Sequence, residues 1–142
     1  MSGYIETYRG MVYPWHCDHQ GHMTTMHYVG MFDAAFWQLM SAQGFTRAYM
    51  AERNTGFADV RDTIEYRAEQ LAGSPIVIES GIVKVGNTSV TSFNRMRNPE
   101  TGQLAATSEK VSVYFDLEAH RKTPLPDDLR AGMEARLVER EE

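Results

Sequence analysis

The sequence predicts an α+β fold in which one antiparallel sheet covers one apolar helix. Three observations carry this: apolar residues at helical spacing in the first third of the chain, a change of period to two from Asp62 onwards, and short turn sequences between the long alternating stretches that follow.

The first strand is predicted at about residues 4–12. After a histidine-rich loop, Val29, Phe32, Phe36 and Leu39 recur at steps of three, four and three, which is one face of a helix. Thr24 or Thr25 stands where a capping hydroxyl starts such a helix, and Gly44 where a left-handed residue ends it. Met31, Ala34, Ala35, Trp37 and Met40 fill the other faces, so the helix is expected to be buried all round. A shorter helix is predicted from Phe45 to Arg53, closing near Asn54 to Gly56. Ile64, Tyr66 and Ala68 then alternate with polar residues as on a strand with one dry face. Gly73-Ser74-Pro75, Gly86-Asn87 and Asn98 to Gly102 separate strands at Ile76 to Val85, Thr88 to Arg97 and Leu104 to Leu117, an antiparallel meander. In the last strand Val111, Val113, Phe115 and Leu117 form the apolar face. Residues 125–142 read as a terminal helix or a tail.

The chain has 142 residues with no repeat, low-complexity tract or Gly/Ser linker, and is treated as one domain over residues 1–142. Charged residues at 23% and hydrophobic ones at 42% match ordinary globular usage. A net charge of −5 and the lack of a basic run argue against nucleic acid as a partner. No leader-like apolar segment follows the start and no 18-residue apolar run is present, so a cytoplasmic protein with no membrane partner is expected. Cys17 is the only cysteine, which fits a reducing compartment.

Residues 14–28, PWHCDHQGHMTTMHY, concentrate four of the five histidines, the cysteine and one aspartate. A metal site would use His16, Asp18, His19, His22 and His27. The ligands all lie in one stretch, however, with no HExxH helix and no second group to close a tetrahedral site. A thiol nucleophile would pair Cys17 with His16 or His19, yet neighbours in an extended stretch point to opposite faces, and a small buried apolar side chain is the better account of Cys17. A third reading uses Asp18 alone. The helix that starts four residues after Gly21 presents unpaired amides and a partial positive charge, able to polarise a carbonyl beside which Asp18 acts as general base or nucleophile. Gly21 would admit close backbone approach. The bland alternative is that Asp18 only caps a turn, and the residues themselves leave both open.

Residues 16–28, HCDHQGHMTTMHY, resemble the D-x-D-x-x-G-H-(V/M)-N-N-x-x-Y signature that opens the central helix of hotdog-fold acyl-CoA thioesterases of the 4-hydroxybenzoyl-CoA thioesterase type. Asp18, Gly21, His22 and Tyr28 fall in register, and the element order resembles that fold over essentially the whole chain. The resemblance implies a sheet of about five strands wrapped around a long central helix, hydrolysis of an acyl-CoA thioester to free acid and CoA, and no metal or organic cofactor. It carries catalysis to Asp18 and to the backbone amide of Thr25, with Met26 next to it; Trp15, His16, Gly21, His22, Met26 and Tyr28 around them are the candidate substrate-binding residues, His22 as a supporting group and not an acid catalyst. It also implies a homodimer or homotetramer with active sites between subunits. His16 replaces the first aspartate, where it either orients Asp18 or reflects a different substrate, and Thr24 and Thr25 replace the two asparagines.

Tyr13, Trp15, Tyr28, Phe32, Phe36 and Trp37 are the aromatic candidates for an acyl pocket, with Trp15 and Tyr28 flanking the loop. Such a surround suits an aromatic acyl group or, through cation–π attraction, a quaternary ammonium, and thioesterases acting on betainyl-CoA look similar in this loop. Lys84, Arg95, Arg97, Arg121 and Lys122 are candidates for the coenzyme phosphates. The competing functions are a hotdog acyl-CoA hydratase or dehydratase, for which Asp18 with His22 would serve, and a non-catalytic acyl-CoA-binding protein.

Overall fold

The computed structural model describes residues 3–142. Its elements are β1 (Ile5–Met11), a 3-10 turn (Pro14–His16), α1 (Thr25–Ala42), α2 (Arg47–Arg53), β2 (Thr55–Tyr66), β3 (Pro75–Val85), β4 (Ser89–Arg97), β5 (Leu104–Asp116), β6 (Arg121–Lys122) and α3 (Asp127–Glu134). They form the hotdog architecture: an antiparallel sheet in the order β1-β3-β4-β5-β2, curled around α1, with β6 as a short addition to β5. Among the described residues no helix is long and apolar enough to cross a membrane.

The expected turns make the β3-β4-β5 meander, but β2 does not precede it in space. Instead β2 pairs with β5 from Thr55↔Asp116 to Tyr66↔Ala106 and forms one edge of the sheet, while β1 pairs with β3 on the other. Residues 67–74 must therefore cross from one edge to the other. Their path is fixed by Met23 N–H donating to Gln70 O at 2.8 Å, Gly73 N–H to Val12 O at 2.7 Å and Val12 N–H to Ser74 O at 2.8 Å. This crossing brings residues distant in sequence against the histidine-rich loop.

α1 ends as expected. Gly44 has φ +100°, Gly44 N–H donates to Ser41 O and Phe45 N–H to Met40 O, both at 3.0 Å, which is the bonding of a Schellman cap. At its start, Thr24 occupies the N-cap position but its hydroxyl makes no capping bond. Tyr28, Met31, Phe32, Ala35, Phe36, Leu39 and Met40 are buried. Burial all round is not found: Met26, Val29 and Trp37 are exposed, because a single curled sheet reaches only one side of the helix.

The interior has two apolar halves. Tyr28, Met31 and Phe32 pack on Ile76, Ile78, Met96 and Ala106, and Phe36, Leu39 and Met40 pack on Ile82, Val90 and Tyr114. Between them runs a buried polar row of Thr7, Ser80, Asn94 and Ser108, with Thr7 Oγ1 2.7 Å from Ser80 Oγ and the Ser108 hydroxyl donating to Asp62 Oδ1 at 2.6 Å. This row overturns the expected face of the last strand. Ser108, Lys110, Ser112 and Tyr114 are the buried residues, whereas Val111 and Val113 are only half-buried. The Lys110 side chain, 2% exposed, sits among Asp59 (3.3 Å), Asp33 (3.9 Å) and Asp62 (4.0 Å), which is what allows a lysine to be held inside. Tyr66 is likewise exposed, since β2 is an edge strand.

Candidate active site

The loop between β1 and α1 is a miniature hairpin. Cys17 and Met23 form an antiparallel bridge, Asp18 N–H donates to His22 O at 2.9 Å, and Gly21 N–H closes the turn on Asp18 O at 3.0 Å. Gly21 has φ +86°, and a Cβ there would meet nothing within 4 Å. Its glycine is required by the left-handed backbone, not by close approach of another group within this chain. Asp18 Oδ1 accepts the Gln20 amide at 2.8 Å, so the carboxylate caps its own turn. It also lines a cleft.

That cleft, of about 370 Å³, is formed by Asp18, Gln20, His22, Met23, Thr25, Tyr28 and the stretch Tyr66 to Glu69. Asp18, His22, Thr25 and Tyr28 of the expected set are thus brought together, with Thr25 as the first residue of α1. Thr24 supplies no capping hydroxyl, and although His27 N–H donates to Thr24 O at 3.0 Å, the Thr25 and Met26 amides at the start of the helix are left for another acceptor.

The other expected residues lie elsewhere. Gly21 shapes the turn, and Met26 is 67% exposed on the outer side of α1. Trp15 is 70% exposed and stacks on Tyr13 with ring centroids 4.4 Å apart. His16 does not touch Asp18. Its Nδ1 accepts the Tyr13 amide at 2.8 Å, its ring meets the His27 ring edge-on at 4.7 Å, and together with Tyr8, Gly30 and Met31 these two histidines line a separate cleft. Burial, with a smaller contribution from His27, holds the His16 imidazole below its ordinary range. Cys17 directs its thiol to Tyr13 O at 3.7 Å, outside the Asp18 cleft.

Tyr66, Arg67 and Glu69 were not anticipated. They stand some fifty positions from Asp18, and only the crossing of residues 67–74 carries them to it. Tyr66 meets Tyr28 edge-on at 5.1 Å, and burial raises both phenols above their usual range. Glu69 Oε2 lies 3.1 Å from His22 Nε2, and His22 is also held by a backbone bridge to Leu71. Of the expected phosphate contacts, Arg121 and Lys122 belong to β6 at the far end of β5, and Arg95 is buried against Glu79 at 3.1 Å. Among the described residues no group of three histidine, cysteine, aspartate or glutamate side chains is arranged to hold a metal ion.

The chain is similar to known proteins at both levels. It is 23% identical over 116 residues to the L-carnitine dehydrogenase/betainyl-CoA thioesterase of Rhizobium meliloti, an alignment spanning 82% of this chain and 23% of that protein. The chain thus spans about a quarter of the length of that relative. In fold it resembles a hypothetical protein of Staphylococcus aureus solved in complex with CoA (TM-score 0.88, 15% identity, 98% of this chain and 88% of that one). It also resembles a 1,4-dihydroxy-2-naphthoyl-CoA thioesterase from Synechocystis (TM-score 0.77, 18% identity, 89% and 93%). The family model of the thioesterase-like superfamily matches residues 12–133, and with the Asp18 loop and the curled sheet around α1 in place, the chain belongs to that superfamily.

Proposed function

We propose that this chain hydrolyses an acyl-CoA thioester at the Asp18 cleft. The observation that carries this reading is that a carboxylate and the uncapped first turn of α1 line one cavity. The thioester carbonyl oxygen accepts the Thr25 amide, with Met26 next to it, and the charge that develops on attack is stabilised by the helix end. Asp18 takes a proton from water as the hydroxyl oxygen bonds to the carbonyl carbon. The C–S bond then breaks and the CoA thiolate leaves with the proton. A nucleophilic route runs through an Asp18 acyl anhydride that water opens. Single turnover in heavy-oxygen water tests the second route, because label enters Asp18 only when water opens such an anhydride at the Asp18 carbonyl carbon.

Tyr28 and Tyr66, with Asp18 and Glu69 beside them, suit a small cationic acyl group, and betainyl-CoA is the preferred substrate on this reading. The exposed Met26, Val29 and Trp37 of α1 and Val60 of the edge strand β2 favour a homodimer or homotetramer that covers them and completes the sites. The reaction needs no further cofactor, and the protein acts in the cytoplasm.

The test is free-thiol release from a panel of betainyl, aromatic and short aliphatic CoA thioesters, followed by enoyl-CoA absorbance. Thiol release supports hydrolysis, loss of conjugated absorbance before any thiol supports a hydratase, and calorimetric binding without turnover supports a non-catalytic protein.

A further inference from the structure

Residues 138–142 cross the sheet on the side away from α1, along a track shaped to receive them. Val138 N–H donates to Ile82 O at 2.9 Å, and a Cβ at Gly81 would collide with Val138. The Tyr4 hydroxyl donates to Glu139 O at 2.8 Å and accepts the Glu141 amide at 3.1 Å. Arg140 reaches Glu109 at 3.4 Å and Glu65 at 3.8 Å, with its guanidinium 4.8 Å from the Phe93 ring centre. Arg95 donates to the main-chain oxygen of Glu141 and Arg97 to that of Glu142, both at 2.8 Å.

At Glu142 the track meets the Asp18 cleft. Glu142 Oε1 lies 2.6 Å from Arg67 Nη2, and Arg67 is the one lysine or arginine among the residues lining the cavity with Asp18. Glu142 thus serves both arginines, its side chain meeting Arg67 and its main-chain oxygen Arg97, while Arg67 also lies 3.6 Å from Glu65 Oε1. Arg95 is already engaged by Glu79 and by the Tyr4 ring.

We propose that Arg67 and Arg97 form a phosphate site at the rim of the Asp18 cleft, and that Glu142 occupies it as an internal anion which the phosphates of the entering thioester displace. The proposal rests on the reading of the cleft as a CoA-thioester site. Arg67 and Glu142 are 41% and 40% exposed, so their attraction is screened and contributes little. A phosphate brings more charge and can engage a guanidinium through two oxygens at once. The strong part of the track, from Val138 to Glu141, stays in place while residue 142 moves aside.

Inorganic pyrophosphate titrated by calorimetry tests the site without turnover. Glu142→Gln is expected to bind pyrophosphate about 3-fold more tightly, and Arg67→Gln about 10-fold or more weakly, with Arg67→Lys between it and the parent. In kinetics, Glu142→Gln lowers KM for an acyl-CoA and leaves KM for the matching N-acetylcysteamine thioester, which has no phosphate, unaltered. If Glu142→Gln and Arg67→Lys both bind pyrophosphate as the parent does, the proposal is overturned. An inactive protein whose variants follow the expected pyrophosphate order would instead count against the hydrolytic reading alone.

Discussion

Asp18 Oδ1 accepts the Gln20 amide at 2.8 Å, and no other side chain or backbone group among the described residues holds the carboxylate. One oxygen is anchored by the turn and the other is left for chemistry. An asparagine keeps an oxygen for the turn but cannot act as base or nucleophile. Asp18→Asn is therefore expected to lower kcat by about 10²–10⁴-fold with the circular dichroism and Tm of the parent. A variant that hydrolyses at the parental rate would remove Asp18 from the mechanism.

Gly21 tests the turn itself. At φ +86° an alanine is strained by about 1–2 kcal/mol, although the space for its methyl is open. Gly21→Ala should lose that stability in urea unfolding and lose activity with it, since the turn sets the position of Asp18. Undiminished stability would show that the loop relaxes without cost.

Lys110 tests the polar interior. It is fully buried beside three aspartates and lies 5.0 Å from the Phe36 ring centre, so Lys110→Met preserves bulk while leaving Asp59 and Asp62 without their cation. The expected loss is about 3 kcal/mol, a fall in Tm of roughly 10 °C. A methionine variant as stable as the parent would mean that the ion cluster contributes specificity and not stability.

His16 gives a pH dependence. Its Nδ1 accepts the Tyr13 amide, which only the neutral ring can do, and burial beside His27 depresses its folded-state pKa below the ordinary 6.5. The folded state therefore binds this proton less readily than the unfolded state. The stability it contributes is complete above pH 6.5 and is lost as pH falls through the depressed value. Tm measured from about pH 8 to about pH 5 should fall less steeply in His16→Gln than in the parent. Parallel profiles would rule out this histidine as the titrating group.

The four-residue match of Asp18, Gly21, His22 and Tyr28, and the helix and turn signals around it, pointed from sequence alone to the fold family and to a carboxylate standing before the central helix. Those signals are local, because a turn, a Schellman cap and an apolar stripe are each set by residues within a few positions of one another. Periodicity failed at β5, where Val111, Val113 and Phe115 were the natural dry face and Ser108, Lys110 and Ser112 were chosen instead. Burial of those polar groups depends on Asp59 and Asp62 from the paired edge strand and Asp33 from α1, partners no window of sequence contains. The same holds for the site. Tyr66, Arg67 and Glu69 reach Asp18 only because β2 pairs with β5 and the chain must then cross the sheet, and His16 leaves it because its imidazole is claimed by Tyr13 and His27. The sequence by itself determined which carboxylate stands before which helix. Tertiary structure decided what surrounds it, since long-range strand pairing, unlike a turn or a cap, is set by the packing of the whole sheet.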